Sequence, residues 1–102
     1  MMSKNVEELR KESEARYTRQ CKKERKPQVF VSSALYGFLR DGSELSVDDL
    51  TFAMNQLSNS TFHVSRELVD AYVRYMTFHD VLDVTREGKY YLVADPSGAW
   101  AE

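Results

Sequence analysis

At 102 residues, 42% hydrophobic and 29% charged, the chain is too short for two domains of ordinary size and too apolar for a wholly disordered polypeptide. Its net charge of -2 conceals a split at Pro27: residues 1 to 26 hold nine Lys/Arg against five Asp/Glu, and residues 27 to 102 hold five against eleven. A balance of +4 followed by -6 excludes a generally basic nucleic-acid-binding body, and no apolar run approaches the roughly 20 residues that span a bilayer.

The charged opening MMSKNVEELRKESEAR lacks the apolar stretch of a secretory signal, and the single cysteine, Cys21, has no second cysteine for a disulfide or a zinc spacing. A cytoplasmic protein without membrane contact is the expectation. Residues 3 to 25 contain no glycine or proline, and Val6, Leu9, Ser13, Tyr17 and Cys21 or Gln20 recur at three- and four-residue spacings. This predicts a helix with one narrow, weakly apolar stripe. Such a stripe is too poor for a core helix, which leaves pairing with a second copy, loose packing on the body, or fraying until a partner arrives. Val6, Leu9 and Tyr17 are the candidate protein-contact residues of this segment.

The second half of the same segment carries Arg16, Arg19, Lys22, Lys23, Arg25 and Lys26, interrupted by Glu24. A run of this kind either tracks a nucleic-acid backbone, releasing counterions, or forms a solvated helix face. Lys26-Pro27 is the expected boundary, since proline disfavours helical geometry in the residue before it. It separates a charged, partly basic N-terminal helix or arm over 1–26 from a folded body over 27–94 and a tail over 95–102.

From Gln28 to Arg40, Phe30, Val31, Ala34, Leu35, Phe38 and Leu39 repeat at helical spacing, and Asp41-Gly42 supplies a stop. A short extended piece, Glu44-Leu45, leads to Ser46, a candidate N-cap with Asp48 and Asp49 in the first turn behind it. The helix over 47–58 would bury Leu50, Ala53, Met54 and Leu57. After the polar break Ser58-Asn59-Ser60-Thr61, Ser65 is the next candidate cap, and a helix to Phe78 would bury Leu68, Val69, Tyr72, Tyr75 and Met76. Its opposite face shows Arg66, Asp70, Arg74 and Thr77.

Two β-branched and aromatic runs follow, Val81 to Arg86 and Lys89 to Val93, joined by Glu87-Gly88 as a tight hairpin turn. Tyr72 and Tyr75 are expected to bridge the preceding helix and this hairpin. Adjacent Tyr90 and Tyr91 must point to opposite faces of it. Tyr91, together with Trp100 in the tail, is a candidate aromatic docking patch.

Helix, helix, helix and hairpin in this order resemble a winged helix-turn-helix domain from Pro27 to Val93. The fold class expected is therefore mainly α with a small β-hairpin: a three-helix core plus wing, preceded by the charged N-terminal helix. What the resemblance implies is a third helix that enters the major groove and a wing that touches the neighbouring backbone. Carried over by position, Ser65, Arg66, Asp70, Arg74 and Thr77 would face the groove, with Arg86 and Lys89 at the wing tip. The turn from Asn59 to Val64 departs from the pattern by its length and its missing glycine.

Arg66, Asp70 and Arg74 have two readings, contacts to base edges or phosphates, or a solvated salt-bridge ladder. No glycine-rich phosphate loop or nucleophile elbow appears, and His63, His79, Asp80 and Asp83 lack metal-ligand spacing. An enzyme, a metal and a cofactor are not expected. Two functions remain. One is a small DNA-binding transcriptional regulator, dimeric through its first helix or its tail and binding double-stranded DNA. The other is a non-enzymatic protein-interaction winged helix whose acidic surface docks on a partner protein such as a nucleic-acid enzyme.

Overall fold

The computed structural model describes residues 5–59 and 61–93, except for the side chains of Val6 and Lys26. Trp100 and the rest of the tail lie outside the described residues, as do the contacts expected of the Val6 and Lys26 side chains. Four helices and a small three-stranded antiparallel sheet follow one another as α1 (Val6–Lys23), α2 (Arg25–Leu39), β1 (Leu45–Ser46), α3 (Val47–Ser58), α4 (Arg66–Phe78), β2 (Leu82–Val84) and β3 (Lys89–Leu92). Among the described residues no helix is long and apolar enough to cross a membrane.

Asn5 caps α1 by accepting from the Glu8 amide at 2.8 Å. Glu7 and Glu8 in its first turn and Lys22 and Lys23 in its last complement the helix dipole. The break after α1 falls at Glu24 rather than at Lys26-Pro27, and α2 starts at Arg25, three residues before the expected Gln28. Proline is tolerated there because the first turn of a helix has amide groups without intrahelical partners, so the one it lacks is not missed. Val31, Ala34, Leu35 and Leu39 of α2 are buried.

Ser46 caps α3, its hydroxyl accepting from the Asp49 amide at 3.1 Å. The inward stripe of α3 runs through Val47, Leu50, Met54 and Ser58. Leu57, expected inside, is turned to the rim of this stripe and is 60% exposed. No glycine is needed at the start of the long turn that follows, because Asn59 takes the left-handed conformation at φ 52, which asparagine tolerates, and side chains of α3 hold the rest. Asn55 donates to the Val64 carbonyl at 2.9 Å and accepts from the Val64 amide at 2.8 Å, and the Ser58 hydroxyl donates to the Phe62 carbonyl at 3.0 Å.

Leu68, Val69, Ala71, Tyr72, Val73 and Met76 of α4 are buried. The helix closes on Asp80 in the left-handed region at φ 63. The Val81 amide reaches back to the Met76 carbonyl at 3.0 Å and the Asp80 amide to that of Thr77 at 3.1 Å, a double closure usually built on glycine. Between β2 and β3 the loop is longer than the expected Glu87-Gly88. Thr85 and Lys89 close it, and Arg86, Glu87 and Gly88 form it, with Gly88 at φ +82.

The expected hairpin is also not alone. β1 joins it in the order β1-β3-β2, with Leu45 opposite Tyr90 and Ser46 opposite Lys89. A two-residue strand shows no alternation from which the sequence would disclose it. Tyr90 is buried and Tyr91 half-buried, on opposite faces as the pleat requires.

α1 lies antiparallel along α4. Arg10 meets the C-terminal end at Phe78, Arg16 meets Asp70, and Glu24 meets Ser65 at the N-terminal end. Tyr17 fills the middle, its ring 5.1 Å from that of Tyr72 and 5.2 Å from that of Tyr75. Those two tyrosines thus serve the α1 contact, and Tyr72 also belongs to the buried cluster that includes Val81, Leu82 and Tyr90. One aromatic ring supplies most of what the thin stripe of α1 lacks.

Candidate functional site

Residues four apart on a helix share a face, so Arg66, Asp70 and Arg74 form one stripe on the outward side of α4. Arg66 is held from α3: its Nε donates to Asp48 Oδ1 at 2.6 Å. That hydrogen bond and the Asp48 charge raise the Arg66 guanidinium above its ordinary value. Arg74 donates from Nε to Asp70 at 3.3 Å. Asp70 also receives Arg16 from α1 at 2.8 Å, and between two arginines its side chain is only 15% exposed.

Ser65 and Thr77, which the resemblance places at the groove, are half-buried and commit their hydroxyls to partners within the chain. The Ser65 hydroxyl accepts from the Leu68 amide and donates to Glu24 Oε2 at 2.7 Å. Thr77 donates to the Val73 carbonyl of its own helix at 2.7 Å. The stripe therefore offers donors chiefly from Arg66 and Arg74, whose side chains are 59% and 57% exposed.

Beside this stripe runs the edge of α1 that carries Arg16, Arg19 and Lys23, spaced three and four residues apart. Arg16 fixes that edge against Asp70. Arg19, Lys22, Lys23 and Arg25 are exposed and make no ion pair among the described residues. The antiparallel arrangement brings their end of α1 to the N-terminus of α4, where Glu24 holds Ser65.

The β2–β3 hairpin is tied by register to the start of α3. Lys89 stands opposite Ser46, two residues before the Asp48 that holds Arg66. Lys89 and Arg86 are both exposed.

Of the candidate protein-contact residues, Tyr17 is engaged within the chain and Leu9 and Tyr91 are half-buried. Burial first, then the hydrogen bond to Cys21 and its nearby charge, push the Tyr17 phenol well above its ordinary value. Val29 of α2 and Phe52 of α3, which the sequence did not single out, and Leu57 of α3, expected inside, are exposed apolar side chains. Asp48 and Glu24 were also missed as partners of α4. Asp48 is fully accounted for locally as a helix-start residue, and no local pattern signals a contact across 18 or 41 positions.

Among the described residues no three His, Cys, Asp or Glu side chains converge as metal ligands, and His79 lies against Tyr75 with ring centroids 4.5 Å apart. No protein-family model matches the chain, and neither does any curated protein or solved structure.

Proposed function

We propose that the chain is a small winged-helix DNA-binding regulator that reads the major groove with α4 and holds the flanking backbone with α1 and the wing. One observation carries this reading: the Arg16 to Asp70 contact sets the basic edge of α1 alongside the exposed arginine stripe of α4. The element order and the strand order β1-β3-β2 support the winged-helix resemblance. Arg16 sets Arg19 and Lys23 of α1 beside Arg66 and Arg74 of α4, and the exposed Arg86 and Lys89 of the hairpin are the further cations this reading uses.

The position of α1 decides how such a surface meets a duplex. A major groove about 12 Å wide admits one helix, and packed helices have axes about 8–10 Å apart, so α1 and α4 do not enter together. α1 lies to the side of the outward stripe, along the α4 flank that holds Ala71, Tyr75 and Phe78. In this arrangement it sits over the phosphates that border the groove, where Arg19 and Lys23 supply charge and no sequence preference.

Fluorescence anisotropy of a labelled random duplex with the intact chain, over a salt series, tests the proposal. Affinity should fall steeply with salt, and Arg19→Glu with Lys23→Glu should reduce the slope by about two. Absence of binding at low salt overturns it. Docking on a partner protein then becomes the leading function, favoured by the exposed Val29, Phe52 and Leu57.

A further inference from the structure

Both arginines on the α4 stripe present Nε to a carboxylate, Arg66 closely at 2.6 Å and Arg74 more loosely at 3.3 Å. Asp48 takes the Nε of Arg66 and Asp70 takes the Nε of Arg74, while the two terminal nitrogens of each guanidinium have no partner among the described residues. A carboxylate on Nε fixes the plane and direction of the group. It leaves the two-pronged end free, and that end matches the O6 and N7 acceptors of guanine in the major groove.

Their separation is also informative. Eight residues at about 1.5 Å each place the two side chains about 12 Å apart along α4. Base pairs rise by about 3.4 Å along the duplex axis, so this distance spans at most about four steps, and fewer when the helix follows the inclined groove.

We propose that Arg66 and Arg74 each recognise a guanine, and that the preferred duplex carries two guanines within about four base pairs of each other. Asp48 and Asp70 are positioning residues, and Arg16 positions Asp70 in turn. α1 thereby affects sequence preference as well as affinity, since removing Arg16 frees Asp70 to shift and Arg74 with it. Asp70 is held from both sides and largely covered, so its part in this arrangement is to steer Arg74 rather than to accept from a base.

The inference rests on the DNA-binding function proposed above, and selection from a randomised duplex pool with the intact chain tests the two separately. The expected result is enrichment of two guanines at the stated spacing. Arg74→Ala should erase the preference at one position and Arg66→Ala at the other, each by about ten-fold or more in competition against the substituted base. Arg16→Ala should weaken the preference at the Arg74 position alone and leave the other intact. Arg66 and Arg74 are exposed, so circular dichroism and Tm of Arg66→Ala and Arg74→Ala should match the parent.

Enrichment without paired guanines, or variants that weaken every sequence equally, overturns the guanine assignment and leaves DNA binding standing. Failure of the intact chain to retain any duplex at low salt overturns both.

Discussion

Arg10 of α1 donates from Nε to the carbonyl oxygen of Phe78 at 2.5 Å, closing the last turn of a helix 68 positions further along the chain. Its Nη2 meets Asp80 at 3.2 Å. A cation at the C-terminal end of α4 satisfies a carbonyl that the helix itself leaves unpaired and lies at the negative end of its dipole. The exposed Asp80 partner contributes little by comparison. Arg10→Ala should lower stability by about 1 kcal/mol, a fall in Tm of about 4–8 °C for a chain of this size. Asp80→Asn should change it much less. Thermal melts of the two variants make the comparison, and equal losses would show that the ion pair rather than the carbonyl contact holds this end.

Tyr17 couples the same interface to alkaline pH. Its phenol is kept neutral by burial and by Cys21, and burial also raises Tyr75 and Tyr90. A phenol whose folded value lies above its unfolded value leaves stability unchanged below about pH 10. Above that pH the unfolded chain releases the proton while the folded chain retains it, and stability falls as pH rises. Denaturant midpoints should therefore drop from about pH 10 upward, with a smaller drop in Tyr17→Phe. Tyr17→Ala should cost about 2 kcal/mol at neutral pH, because the ring fills the space between Tyr72 and Tyr75.

Asn55 ties the turn between α3 and α4 to the helix before it. Its amide serves both backbone groups of Val64, a residue without solvent exposure. Asn55→Ala leaves a buried donor and a buried acceptor unpaired and should destabilise by about 2 kcal/mol or more. In Asn55→Asp the carboxylate still accepts from the Val64 amide but faces the Val64 carbonyl. That variant should gain stability as pH falls, when the protonated acid donates again. Urea titrations at pH 7 and pH 4 would show it, and a flat response would place the main constraint on the turn elsewhere.

Local chemistry made most elements legible. Ser46 and Ser65 cap the helices they precede, and three-four periodicity finds the buried faces through Val31, Leu35, Leu50, Met54, Leu68 and Met76. Contacts distant in sequence were not legible. The stripe of α1 looked too thin to pack because its worth depends on Tyr72 and Tyr75 more than fifty positions away. β1 was hidden by its length, and Leu57 by a small rotation of the α3 face. The α4 stripe was visible as Arg66, Asp70 and Arg74, but the use made of each residue was not. Asp48 and Arg16, which determine how the two arginines are held, come from other helices and leave no spacing signal. Ser65 and Thr77 are withdrawn by hydrogen bonds that compete for their hydroxyls.

The β2–β3 hairpin offers an independent check on the proposed DNA-binding surface, because its two basic residues, Arg86 and Lys89, are exposed. Arg86 sits in the loop that Thr85 and Lys89 close, and Lys89 begins β3, where its backbone pairs with Ser46 while its side chain is exposed. Reversing both charges with Arg86→Glu and Lys89→Glu should leave Tm within a few degrees of the parent, since neither side chain makes an ion pair among the described residues. Affinity for a random duplex should fall at low salt, and the salt slope should lose about one unit for each phosphate contact removed. A reduced slope with the selected sequence unchanged identifies backbone contacts that position the domain. A slope equal to that of the parent would remove the wing from the interface and leave α1 and α4 to account for binding.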